Sequence, residues 1–145
     1  FEKMIEAHIH GNIPQTSIRL WQIFLECAQN AQDDKVSNGY AEQIQNYVRQ
    51  HYIDGFTSAQ IQEACGLSYK YAGTLFKEVT GQTIKEYQCT LRLRKAEQLL
   101  KETNKSITEI AQLTGFSDVF YFSKIFHRKK GCPPGEYRKT YIPGI

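Results

Sequence analysis

The sequence predicts an all-α protein with two helix-turn-helix subdomains joined by a long central helix, and one extra helix at the N-terminus. Three observations predict this fold. Strand signals are nearly absent from the 145 residues, apolar positions recur at helical spacing between short turns, and a two-helix pattern occurs twice. Hydrophobic residues make up 41% of the chain, which is enough to build a core.

The N-terminal helix is predicted from residue 14 to about residue 31, where apolar side chains share one helical face. They are Ile18, Trp21, Phe24, Leu25 and Ala28. The polar residues 29–39 then predict a linker. Apolar spacing returns from residue 40 to about 52, where a helix is expected to end at Asp54-Gly55. The predicted domains are therefore residues 1–38, which contain the N-terminal helix and linker, and residues 39–145.

The second domain contains an internal repeat. An offset of 50 residues places Leu75-Phe76 on Ile125-Phe126, and one more residue in the second turn aligns Gly66-Leu67-Ser68 with Gly115-Phe116-Ser117. Each copy is predicted as a helix, a glycine turn and a second helix, because glycine relieves the backbone at the corner. The helix pairs are Ser58–Cys65 with Tyr69–Thr80, and residues 107–114 with Val119–Lys130. The two subdomains span about 57–81 and about 106–131.

A long linker helix is predicted between the two copies, at about 84–102, because this stretch has no Gly or Pro. Its apolar positions are Tyr87, Leu91, Ala96, Leu99 and Leu100. Ser106 and Glu109 have the spacing of a capping box at the start of the following helix. Pro134 is expected to occupy the first turn of a last short helix.

Composition argues against several classes of protein. No run of 18 apolar residues and no signal peptide is visible, so a membrane protein is not expected. The four cysteines, at 27, 65, 89 and 132, form no Cys-x-x-Cys pair, which favours reduced thiols in the cytoplasm over a zinc or disulfide site. His8 and His10 are expected to be solvated. No phosphate loop, nucleophile elbow or paired His-Glu motif occurs, so we predict no enzyme, no metal and no cofactor.

Positive charge is concentrated in the second part of the chain. Residues 1–53 contain four basic and six acidic residues, whereas residues 54–145 contain fourteen basic and nine acidic ones. This distribution indicates a polyanionic partner, with solubility as the alternative explanation.

The second helix of each copy has a face suited to DNA. In residues 119–130 the side chains of Phe122, Ile125 and Phe126 share one face, which we expect in the core. Another face is small, hydrogen-bonding and cationic, with one aromatic ring: Phe120, Ser123, Lys124 and His127. The first copy has Lys70, Gly73, Thr74 and Lys77 at the matching positions. Such faces fit the major groove, where base edges accept from Lys and the thymine methyl contacts apolar groups.

These residues also carry a family resemblance. Residues 107–138 follow the pattern I-x-x-I-A-x-x-x-G-F-S-D-x-x-Y-F-S-K-x-F-x-x-x-x-G-x-x-P-x-x-Y-R, and residues 92–100 follow R-L-x-x-A-x-x-L-L. Both resemble the signature of the AraC/XylS family of bacterial transcription regulators, over roughly residues 40–140. The resemblance implies a sequence-specific regulator, an activator, whose two recognition helices enter successive major grooves of double-stranded DNA. It also implies contact with RNA polymerase and a cytoplasmic, nucleoid-associated location.

Specific DNA contacts follow from this resemblance. The predicted base-contacting residues are Tyr69, Lys70, Thr74, Val119, Phe120, Ser123 and Lys124. The predicted phosphate contacts are Lys77, His127, Arg128, Lys130 and Arg138. The alternatives are local packing for Val119 and Phe120, and solvation for the cations. Arg92 and Arg94 are expected to form intramolecular ion pairs, and six residues are expected to be structural: Leu75, Phe76, Phe116, Phe122, Phe126 and Tyr137.

Five positions depart from the family pattern: Ser58, Gln62, Ala72, Gly73 and His127. Gly73 has no side chain to contact a base, and His127 replaces a more usual Lys, which weakens a phosphate contact at neutral pH. Residues 1–38 resemble the tail of a regulatory domain, whose expected role is either to form a homodimer or to pack on the DNA-binding half. The start at Phe1 predicts a fragment of a longer protein.

Two other functions compete with DNA binding. A protein-interaction helical bundle would use the same exposed faces, and steep salt dependence on duplex DNA would separate it from a DNA-binding protein. An enzyme would need activated groups in a concave site, for which the sequence offers no candidate.

Overall fold

The computed structural model describes the backbone of residues 15–141, and within it the side chains of residues 23–25 and 35–141. This part of the chain is all-helical and has no strand, which confirms the predicted fold class. In chain order the helices are α1 (Gln15–His51), α2 (Ser58–Cys65), α3 (Tyr69–Thr80), α4 (Ile84–Glu102), α5 (Ile107–Leu113), α6 (Val119–Lys130) and α7 (Pro134–Tyr141).

The predicted linker at residues 29–39 is wrong, because α1 runs through it from Gln15 to His51. The stretch contains no proline and one glycine, Gly39, and its Ala, Gln and Lys residues are good helix formers. Polarity alone does not end a helix. The chain divides into two compact units, residues 1–39 and 40–145. In the first unit Phe24 and Leu25 are exposed, and the side chains of Ile18, Trp21 and Ala28 lie outside the described residues.

The second unit contains two hydrophobic clusters. The first joins the end of α1 to α2, α3 and the start of α4; its buried members include Ile44, Val48, Ile61, Leu75, Phe76, Ile84 and Tyr87. The second joins the rest of α4 to α5 and α6; its buried members include Leu93, Ala96, Leu100, Ile110, Phe116, Phe122, Ile125 and Phe126. Helix α4 therefore contributes to both clusters, and each subdomain has its own core.

The residues predicted to be structural occupy these cores. Leu75, Phe76, Phe116, Phe122 and Phe126 are buried, and Tyr137 packs partly buried against the second cluster. The sequence-based assignment of α4 missed Leu93, which is only 3% exposed.

Capping side chains fix where the helices begin. The predicted capping box of Ser106 and Glu109 is present, and the same arrangement occurs at Thr57 with Gln60 before α2. A cap of this kind typically contributes about 1 kcal/mol. The corner of each helix-turn-helix has a glycine with positive φ, +70° at Gly66 and +83° at Gly115. This conformation strains other residues, so the glycines mark the two corners of the repeat.

Candidate DNA interface

Helices α3 and α6 are buried through equivalent positions. Ala72, Leu75 and Phe76 are buried on α3, and Phe122, Ile125 and Phe126 are buried on α6. These positions differ by the repeat offset of 50 residues. Because the same side of each helix faces its own core, corresponding positions on the opposite side face outward in both copies.

The outward face of α6 combines an aromatic ring with basic side chains. Phe120 is 83% exposed, and Lys124 and His127 are exposed one and two turns later. Ser123 is half-buried beside them. Val119 packs against the second hydrophobic cluster, so local packing describes Val119 but not the projecting ring of Phe120.

Helix α3 borders a groove with a volume of about 830 Å³. Its lining includes Tyr69, Lys70, Gly73, Thr74 and Lys77 of α3, together with Thr83 and Lys85 near the start of α4. Lys70, Thr74 and Lys77 are exposed, whereas Tyr69 packs partly against the first cluster. A Cβ at Gly73 would meet no atom within 4 Å, so the absent side chain leaves open space at this position.

The predicted phosphate contacts fall into two groups. Lys77, His127 and Arg128 are exposed. Lys130 instead forms an ion pair with Glu97 of α4, and the guanidinium of Arg138 donates to the backbone carbonyl of Lys105. The structure thus holds Lys130 and Arg138 in contacts within the fold.

Glu97 is the centre of a cluster that ties α4, α6 and α7 together. Its carboxylate accepts hydrogen bonds from Lys130, from the hydroxyl of Tyr137 and, at 3.2 Å, from Lys101. These bonds, led by those from Lys130 and Tyr137, lower the pKa of Glu97 to about 2. Burial and the bond to Glu97 raise the pKa of Tyr137.

The expectation of ion pairs at Arg92 is wrong. The guanidinium of Arg92 donates to the backbone carbonyls of Tyr52 and Ile53, which directly follow the end of α1. In residues 35–141 the ion pairs are those of Glu97 with Lys101 and Lys130, and Arg94 is exposed without one. Arg92 bonds to backbone carbonyls and not to carboxylates, because α4 passes the end of α1.

Sequence reasoning missed two exposed tyrosines. Tyr71 is 57% exposed and Tyr121 is 55% exposed, at equivalent positions near the start of α3 and α6. The Tyr121 ring centroid lies 6.4 Å from that of Phe116. The sequence could have indicated these two residues, because both copies of the repeat have a tyrosine at the same position. Each tyrosine follows a residue of an outward face, Lys70 or Phe120, so the two exposed residues add candidates for phosphate contact.

The described residues include several side chains of types that bind metal ions. Among them no group of three or more His, Cys, Asp or Glu residues is placed to hold a metal ion. Cys65, Cys89 and Cys132 are free thiols, and burial raises the pKa of Cys89. His8, His10 and the side chain of Cys27 lie outside the described residues. None of the helices searched is both long and apolar enough to cross a membrane.

Comparison with known proteins shows which family of proteins this chain resembles. A family model described as a helix-turn-helix domain matches residues 61–140. The chain is 36% identical over 107 residues to the HTH-type transcriptional activator Btr of Bacillus subtilis, covering 74% of this chain and 20% of Btr. It is 31% identical over 128 residues to the HTH-type transcriptional activator RhaR of Mannheimia succiniciproducens, covering 87% of this chain and 46% of RhaR.

A solved structure gives the same result for the fold. A transcriptional regulator from Chromobacterium violaceum, described among AraC-type DNA-binding domain-containing proteins, aligns with a TM-score of 0.68 and 26% identity. The alignment covers 77% of this chain and 99% of that chain. By contrast, this chain spans less than half the length of Btr or RhaR.

Proposed function

Because the chain belongs to the AraC/XylS family of helix-turn-helix DNA-binding transcription regulators, we propose that it binds a specific sequence in double-stranded DNA and activates transcription. The observation that carries this proposal is the pair of equivalent outward faces on α3 and α6, each opposite a buried aromatic and aliphatic side. The names of Btr and RhaR, both transcriptional activators, support activation over repression.

Each outward face would enter one of two successive major grooves, about 34 Å apart along the duplex. Lys70 and Lys124 would donate to guanine O6 and N7, and the hydroxyls of Thr74 and Ser123 would bond to base edges. Phe120 would contact a thymine methyl, because its apolar ring is 83% exposed on the outward face. Tyr69 and Val119, which are partly buried, would contact bases only through their outer edges.

Phosphate contacts would fix the register of the protein on DNA and supply most of the salt-dependent affinity. Lys77, His127 and Arg128 are exposed and can meet phosphates directly. Lys130 and Arg138 would first have to exchange a contact within the fold for a phosphate. We therefore rank these two below the exposed cations.

The remaining parts of the proposal concern the whole protein. Activation would require contact with RNA polymerase, and dimerisation would occur through a regulatory domain preceding these residues. Such a protein would act in the cytoplasm at the nucleoid. It would regulate transcription by binding rather than by catalysis, and its binding needs no cofactor.

Selection of bound sequences from random duplex DNA tests the proposal. We expect one asymmetric sequence with two halves separated by about one helical turn. On that sequence the affinity should fall steeply with salt, with a logarithmic slope of about −0.9 for each phosphate contacted. A protein-interaction module would enrich no sequence. Lys95→Ala, which removes a charge from α4 away from both outward faces, is the matched control for Lys124→Ala.

A further inference from the structure

Arg92 is a residue of α4 that contacts the first subdomain. Its Nε donates to the carbonyl of Tyr52 at 2.5 Å, and a terminal nitrogen donates to the carbonyl of Ile53 at 3.0 Å. The side chain of Gln88, one turn earlier, donates to the same Tyr52 carbonyl at 3.1 Å. Both carbonyls follow the end of α1, where backbone oxygens lack helical donors and a cation is favourable.

Arg92 also contacts the second subdomain. Its guanidinium carbon lies 5.7 Å from the centroid of the buried Phe116 ring. The neighbouring Gly115 is so close that a Cβ would lie 2.3 Å from the Ile53 carbonyl oxygen and 2.9 Å from the Arg92 guanidinium carbon. The corner of the second helix-turn-helix is therefore packed directly on Arg92 and on the turn that belongs to the first subdomain.

We propose that Arg92 is a positioning residue that sets the distance and angle between the two recognition helices on DNA. The inference rests on the proposed function. Helix α4 contributes to both hydrophobic cores and so links the two subdomains, and Arg92 adds a direct contact between the second corner and the turn after α1. The guanidinium is planar and presents several donors in a rigid fork. Held by two carbonyls and one ring, it resists rotation of one subdomain against the other.

A fixed arrangement has a measurable consequence for DNA recognition. Inserting one base pair between the two halves of the site increases their separation by about 3.4 Å and rotates one half relative to the other by about a tenth of a turn. A rigid protein then loses one set of contacts, whereas a protein free to adjust keeps both. Arg92 should therefore control how strongly the protein rejects sites with altered spacing, and not which bases each half contains.

The experiment compares Arg92→Met with Arg94→Met. The first keeps the apolar stem but removes every donor; the second makes the same change two residues away on the same helix, at an exposed position. Affinities are measured on the selected site, on sites with one base pair inserted or deleted between the halves, and on sites with either half scrambled. Folding is checked by circular dichroism and thermal unfolding.

We expect wild type and Arg94→Met to bind altered-spacing sites at least about 100-fold more weakly than the selected site, which is the order of losing one linked module. Arg92→Met should show a penalty below about 5-fold, with the base preference of each half unchanged. A full wild-type spacing penalty in Arg92→Met would overturn the inference alone. Absence of sequence-specific binding by wild type would overturn the proposed function as well.

If Arg92→Met does not fold, Arg92→Lys takes its place. A lysine keeps the charge, but its ammonium can satisfy only one of the two carbonyls. If Arg92→Lys has a smaller spacing penalty than wild type, the inference is supported. If its penalty equals that of wild type, the inference is contradicted.

Discussion

Replacing Glu97 by Gln should destabilise the domain, because it removes the negative charge of a carboxylate that accepts hydrogen bonds from three donors. Glu97 lies on α4 and accepts from Lys130 at the end of α6, from Tyr137 of α7 and from Lys101. Glutamine keeps the size of the side chain and one acceptor oxygen. The change therefore isolates the contribution of the carboxylate charge to the contact between α4, α6 and α7.

The size of the effect follows from the pKa of Glu97. Its fall from 4.5 to about 2 corresponds to at most about 3 to 4 kcal/mol of stability, at about 1.4 kcal/mol per unit. The side chain is 21% exposed, and water screens part of the interaction, so we expect about 1 to 2 kcal/mol. Because the pKa is lower in the folded state, this stability is complete above the unfolded value of 4.5 and is lost as the pH falls to about 2.

Urea unfolding of wild type and Glu97→Gln across this pH range measures the difference. Glu102→Gln is the matched control, because Glu102 lies on the same helix, is exposed and accepts only from Gln98. The free energy of unfolding of Glu97→Gln should be lower than that of wild type at neutral pH, and the two should converge near pH 2. Equal stability at neutral pH, or a difference that stays constant with pH, would refute the reasoning.

Three further substitutions test the DNA interface. Lys124→Ala should weaken binding and change the preference at one base position, and an unchanged preference in the selection would reject a base contact. Arg128→Ala should lower affinity on all sequences and flatten the salt slope by about one unit, so a sequence-selective loss would argue against a phosphate contact. Gly73→Ala should raise the free energy of unfolding by about 1 kcal/mol, because the added methyl meets open space. If Gly73→Ala gained stability but lost DNA affinity, the glycine would serve close backbone approach to DNA.

The helices of the repeat could be predicted from the sequence almost to the residue. The spans Ser58–Cys65 and Tyr69–Thr80 agree in prediction and structure, because capping side chains and corner glycines are local signals. The wrong prediction of a linker at residues 29–39 also reflects the dependence of sequence prediction on local signals. That stretch has no local signal that stops a helix, and its polarity was the only ground for predicting a linker.

The outward faces could also be predicted, since helical periodicity alone separates Lys70 and Lys124 from the buried side. Contacts between distant parts of the chain could not. Lys130 meets Glu97, and Arg92 meets the turn after α1, because of the angles at which helices cross. Periodicity contains no information about those angles, so the sequence could not show which cations the fold already uses.

The two recognition helices share an architecture but differ in charge, and this difference shapes the proposed recognition. Helix α3 has two lysines and one glutamate, whereas α6 has four Lys or Arg residues, one histidine and no acidic residue. Counterion release scales with the number of phosphates contacted, so α6 should supply the larger part of the salt-dependent affinity even with Lys130 paired to Glu97. Helix α3, with open space at Gly73, would then contribute mainly selectivity through Lys70 and Thr74. The first subdomain, which contains α3, would contribute this selectivity only if the more strongly bound second subdomain held it at the correct position on DNA. The contact at Arg92 is proposed to fix that position.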